Sequence, residues 1–211
     1  MKTSSLLAVL LLALSAPANG AETPAAAPTA TLVPGSLTIR KLTEKKVSAL
    51  PPGPLFWRVE NFDSLEQARA AAGEFSLAAE SAGKAWLFTL GPAGSTTAGG
   101  ASISEVGPIA AVAAQDYTLL VNEATGAPGK ASSVHTHPGS EAFFVLQGEQ
   151  RIRMANGVMV VKAGQPEAGH GADMPMQVAS SGTEDLHALV MFVLDASRPF
   201  SSPATFPVGT P

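Results

Sequence analysis

The sequence contains no cysteine, so disulfides, thiolate metal ligands and a cysteine nucleophile are all excluded, and stability has to come from packing. Charge is sparse as well: Asp, Glu, Lys and Arg make up 14% of the 211 residues, the net charge is −4, and no Lys/Arg cluster resembles a phosphate-neutralising basic stripe. Without a basic stripe to neutralise a run of phosphates, nucleic acid is excluded as a partner. There is no Gly-x-Ser-x-Gly elbow and no Gly-rich phosphate loop carrying a Lys, which removes the serine-hydrolase and P-loop classes. The apolar run Leu6 to Leu14 falls short of the roughly 20 residues that a membrane-spanning helix needs.

What the chain does have is apolar material, 45% of its residues, punctuated by 20 Gly and 17 Pro. That mixture predicts one domain with tails, built from many short strands, in the all-β class. Lys2, the apolar run and the small residues Ala16-Pro17-Ala18-Asn19-Gly20 form the three parts of a signal peptide over residues 1–20. The expected product is periplasmic or secreted, with no membrane attachment after cleavage near Gly20 or Ala21. Residues 21–35, rich in Ala, Pro and Thr, read as a flexible leader.

Residues 36–115 read as an N-terminal β extension, with strands at Leu55–Val59, Ala85–Leu90 and Ser102–Val106. One helix is expected over Ser64–Ala72, capped by Asp63 or Ser64. Residues 116–200 carry a denser strand signal and form the expected core, and 201–211 a tail. Within the core, Asn156-Gly157 between Arg151–Met154 and Val158–Val161 predicts a hairpin turning on those two residues. Ile152, Met154, Met159 and Val161 then share one face. A further strand is expected at Leu186–Leu194, in which His187 reads as a hydrogen-bonded structural histidine.

The chemistry is concentrated in Gly129–Gly148, GKASSVHTHPGSEAFFVLQG. His135 and His137 are two apart on a strand, so both imidazoles leave the same face. Pro138-Gly139 is a turn pair, expected to reverse the chain so that Glu141 opens the neighbouring antiparallel strand. Two nitrogens and a carboxylate can then converge on Fe, Mn, Ni, Cu or Zn. Glu141 is followed by Ala142-Phe143-Phe144-Val145-Leu146, apolar on both faces. Phe143 and Val145 should line the interior with Glu141. Ala142, Phe144 and Leu146 need a cover, supplied by the N-terminal strands or by a second subunit in a homodimer.

With Gly129, His135, His137, Glu141 and Gly148 at each defined position, this stretch resembles the first motif of the cupin superfamily. The resemblance implies a double-stranded β-helix, a jelly-roll-like barrel with a divalent metal in its mouth. In many relatives it implies a dioxygenase, isomerase, oxidase or decarboxylase. The second cupin motif matches poorly: Met176 stands where a His is expected and Ser180 where an Asn is expected. His170, Gln177 or Met176 could complete the site, His170 being the chosen fourth ligand beside His135, His137 and Glu141. Glu167 and Asp173 are acid or base candidates without an assigned role. The expectation is a metal-dependent, dioxygenase-like enzyme acting on a small organic molecule. The alternative, motivated by the degraded second motif and the low aromatic content, is a non-catalytic cupin that binds a small ligand or a metal.

Overall fold

The computed structural model describes residues 33–34 and 37–207, and the expected signal peptide and most of the leader lie outside the described residues. The first part of the chain supplies β1 (Val33–Pro34), β2 (Thr38–Val47), β3 (Phe56–Phe62), α1 (Leu65–Ala71), β4 (Ser76–Ser81), β5 (Lys84–Gly91) and β6 (Ala101–Val106). The second part supplies β7 (Tyr117–Gly126), β8 (Lys130–Ala131), β9 (His135–Thr136), β10 (Gly139–Gln147), β11 (Glu149–Met154) and β12 (Gly157–Lys162). It ends with β13 (Pro166–Ala168), β14 (Met176–Ser180), β15 (Leu186–Asp195) and β16 (Ser202–Pro203). Among the described residues no helix is long and apolar enough to cross a membrane.

These strands form three sheets in three layers. The middle layer runs β13-β10-β15-β7-β2; on one side lies β1-β8-β14-β11-β12 with β9 and β16 attached, and on the other β4-β5-β3-β6. The pattern of β15, LHALVMFVLD, shows why the middle layer is central: eight of its ten residues are apolar and buried, with only His187 and Asp195 less than fully buried. Leu189, Met191 and Val193 face the N-terminal sheet, while Ala188, Val190, Phe192 and Leu194 face the opposite sheet. Period-two alternation therefore fills two cores from one strand.

The same alternation settles what covers the doubly apolar strand β10. Phe143 and Val145 point into the core between the two main sheets. Ala142 and Phe144 point the other way, into a core with Trp57, Trp86 and Phe88 of the N-terminal sheet. The Trp86 and Phe144 rings meet edge to face at 6.4 Å. The N-terminal strands are the cover, and this face gives no reason for a homodimer. A polar tie reinforces the contact. On β4, Ser81 Oγ donates to Glu123 Oε1 of β7 at 2.5 Å, and His187 Nε2 of β15 binds the same oxygen at 2.8 Å. Arg40 Nε of β2 donates to Glu123 Oε2 at 2.8 Å. Burial raises the Glu123 carboxyl, but the hydrogen bonds from Ser81, Arg40 and His187, with the charge of Arg40, outweigh it and hold the group below its ordinary value.

Helix α1 is capped by Ser64, whose hydroxyl accepts from Gln67 N at 3.2 Å. The hairpin β11–β12 keeps Ile152, Met154, Met159 and Val161 on one face, but its register differs from the sequence expectation. Met154 pairs with Gly157 and Ile152 with Met159, so Ala155 and Asn156 are the turn residues. Gly157, at φ +149°, is the position with the backbone only glycine accepts readily, and it opens the returning strand instead of closing the turn. The slip is by two residues, which preserves the faces.

Two expectations about the core are corrected. The two main sheets are consistent with a jelly roll, but among the described residues they do not join into a closed barrel. Pro138-Gly139 also makes no hairpin: β9 pairs with β14 and β16, whereas β10 pairs with β13 and β15. The chain crosses there from one sheet to the other, and His135 and Glu141 approach from opposite layers. Gly139 permits the crossing because a Cβ at this position would fall onto the carbonyl oxygen of Val193.

Candidate functional site

A cavity of about 240 Å³ lies between the two main sheets. His135 and His137 enter from the β9 segment, Glu141 and Phe143 from β10, Asn122 from β7, and Val190 and Phe192 from β15. Leu37 and Ile39 at the start of β2, and Phe200 and Ser201 before β16, complete the wall. Ile39 and Phe200 are partly open to solvent, at 53% and 38% exposure, and mark the mouth. The wall is mostly aliphatic and aromatic, with a few polar groups, as small-molecule sites are. A larger depression of about 570 Å³, lined by residues such as Lys46, Asp116 and Asp195, shares no residue with this cavity.

The two histidines are T-shaped to one another at 4.9 Å between ring centroids. His135 Nδ1 donates to Ser133 O at 2.9 Å, and His137 Nδ1 donates to Phe200 O at 2.7 Å. A carbonyl can only accept, so each Nδ1 carries a hydrogen. His137 is also flanked by Phe192 at 4.9 Å and Phe200 at 4.6 Å. Burial in this apolar cluster disfavours its charged form and, with a smaller push from His135 and despite the Phe200 hydrogen bond, brings its pKa down to about 4. Glu141 is buried, and desolvation alone pushes its carboxyl up to about 8. Glu141 Oε1 and Asn122 Oδ1 are buried without a hydrogen-bond partner. At neutral pH the site therefore holds a neutral acid beside a neutral imidazole.

This arrangement overturns the expected metal centre. Among the described residues no group of three or more His, Cys, Asp or Glu is placed to hold a metal ion. The divalent cofactor, Fe, Mn, Ni, Cu or Zn, and the dioxygenase-like enzyme built on it are accordingly withdrawn. The physical reasons lie in the candidates themselves. Glu141, with no cationic neighbour, is driven towards its neutral form, which is a poor ligand. Met176 fills the expected histidine position as an apolar side chain, 2% exposed and packed in the core between the main sheets, with its backbone opposite His135. Gln177 donates its amide to Ser132 O at 3.0 Å.

His170 is not part of the cavity wall. Gly169 N donates to Glu141 O at 2.9 Å and Glu141 N to His170 O at 3.3 Å, so the loop is stitched to β10 through its backbone, while His170 Nε2 is buried without a partner. Asp173 is an exposed partner of Arg198, whose hydrogen bond holds its carboxyl below the ordinary value. Glu167 sits on β13 opposite Phe143. His187 is hydrogen-bonded to Glu123, and the grouping with Ser81 is no catalytic triad. Both Ser81 and Glu123 approach the same ring nitrogen, Nε2, whereas a proton relay needs them on opposite nitrogens. Asn122, Phe192 and Phe200 escaped the sequence reading. Asn122 could have been noticed as the polar residue that ends the apolar run Leu119-Leu120-Val121 of β7; nothing local announces Phe200.

Residues 122–192 match the family described as Cupin domain. This core has the cupin fold. The matched segment contains all of β10, half of β7 and most of β15, and so includes much of the wall of the cavity. Among solved structures, the chain is similar to an uncharacterised conserved protein with a double-stranded β-helix domain from Klebsiella pneumoniae. The identity is 26%, covering 41% of this chain and 75% of that one, with a TM-score of 0.36. It is similar to an oxalate decarboxylase from Lactobacillus farciminis at 19% identity, covering 40% of this chain and 26% of that one, TM-score 0.35. A DMSP lyase from Ruegeria pomeroyi matches at 23% identity, covering 43% and 45%, TM-score 0.36. The chain thus spans about a quarter of the decarboxylase and less than half of the lyase. No curated protein matches the sequence.

Proposed function

We propose that this cupin binds a small organic molecule in the cavity between its main sheets, without a metal and without turnover. The observation that carries the reading is the cavity itself: a mostly apolar chamber in which His135, His137, Glu141 and Asn122 converge although no cluster there is placed to hold an ion. Neutral polar groups set in an apolar wall orient an uncharged ligand and exclude water from it. The likeness to a decarboxylase and a lyase does not extend to activity here. We also place the protein outside the cytoplasm, because residues 1–20 have the three-part export pattern.

Native mass spectrometry of protein purified from its own host tests the binding reading, and elemental analysis of the same sample tests the metal. The expected result is a non-covalent organic adduct without stoichiometric transition metal; a stoichiometric metal and no adduct would overturn it. Export is checked by the mass of the mature chain, which should begin between Asn19 and Glu22.

A further inference from the structure

The polar atoms of the cavity restrict its occupant further than size does. Among the described residues no Lys or Arg lines the wall, so an anionic ligand would enter an apolar chamber without a compensating charge and beside a carboxyl group, which is strongly unfavourable. His137 has committed its Nδ1 hydrogen to Phe200 O, and in the neutral ring Nε2 is left as an acceptor. Asn122 Oδ1, an amide oxygen on a buried side chain, and Glu141 Oε1 also have no partner. A ligand that only accepts hydrogen bonds leaves His137 Nε2 and Asn122 Oδ1 unsatisfied. One that donates through a hydroxyl, which can also accept, relieves them.

The apolar wall defines the rest. Phe192 and Phe200 meet edge to face at 5.2 Å and both flank the His137 ring, a setting in which a planar ring continues the aromatic cluster. An apolar protein cavity of about 150 Å³ accepts benzene. The 240 Å³ available here leaves room for an aromatic ring together with its substituents.

Resting on the binding reading above, the geometry points to a neutral aromatic molecule bearing a hydroxyl group as the ligand of this site, with a ring against Phe192 and Phe200 and the hydroxyl donating to His137 Nε2. Carboxylates of the same size are rejected.

The test is a ligand-observed NMR titration of the full chain at pH 7 with phenol, toluene and benzoate. Phenol should bind at least about fivefold more tightly than toluene, the factor expected from about one net hydrogen bond, and benzoate should show no binding in the millimolar range. In His137→Leu the phenol-to-toluene ratio should fall towards one; taking the ratio within one variant cancels any loss of cavity shape. If that variant does not fold, the wild-type ratios alone decide. Equal affinities for phenol and toluene, or preferential binding of benzoate, overturn the ligand class while leaving cavity binding intact. Failure of all three to bind overturns the binding reading and the inference with it.

Discussion

Glu141→Gln tests the electrostatic account of the site. The Glu141 carboxyl has a pKa of about 8 in the folded protein against 4.5 for the ordinary group. Between these values the native state holds a proton that the unfolded state has released, so stability falls as pH rises. The rate is about 1.4 kcal/mol per pH unit, roughly 2 kcal/mol between pH 6.5 and 8. Below pH 6.5 the slope is opposed: His137 and His170, both depressed by burial, refuse protons that the unfolded chain accepts, and stability drops with acidification. Glu123 and Asp173, both lowered, act only at more acidic pH, below their ordinary values. The ligand-free wild type should therefore be nearly level from pH 5 to 6.5 and decline towards pH 8. Glu141→Gln should be level from pH 6.5 to 8 and decline more steeply than wild type on acidification. Urea unfolding followed through the buried Trp57 and Trp86 measures both profiles. Parallel curves for the two proteins between pH 6.5 and 8 would refute the claim that Glu141 is neutral in the fold.

Three further outcomes follow from the packing. Ser81→Ala removes a buried donor to the Glu123 carboxylate and should cost about 2 kcal/mol, read from thermal or urea unfolding; a change below half that would mean the tie between the N-terminal sheet and the core is idle. Phe144→Ala empties space beside Trp86 and should cost about 3–5 kcal/mol, while light scattering shows the same mass as wild type, since the N-terminal sheet covers this face. Gly139→Ala forces a Cβ into Val193 O and should destabilise by about 2 kcal/mol or more; a variant as stable as wild type would show that the crossing between the sheets has room to spare.

The parts of this fold legible in the sequence are those set by local pattern. The continuous apolar run 142–146 announced a strand buried on both faces and 186–194 a further strand, and the spacing of His135, His137 and Glu141 brought those three side chains to one cavity. Ser64 was legible as a cap because capping is a local hydrogen bond. What the pattern could not convey was nonlocal. Whether Pro138-Gly139 closes a hairpin or carries the chain between sheets depends on what β9 pairs with, and its partners, β14 and β16, lie far away in sequence. The metal expectation failed for the same reason. Ligand spacing places donors near one another, but the desolvation of Glu141 decides its chemistry, and that burial arises from segments distant in sequence.

The strap formed by Phe200, Ser201 and β16 has a consequence for how the protein is made. The His137 ring is oriented by the Phe200 carbonyl, and β16 pairs with β9, while Leu37 and Ile39 close the cavity from the opposite extreme of the folded segment. Contacts of such long sequence separation form late. A folding chain that has not yet docked residues 198–203 can assemble the N-terminal sheet but has no finished chamber, so ligand cannot act as a template for early folding. It can only stabilise the completed protein, in proportion to its free concentration over its dissociation constant.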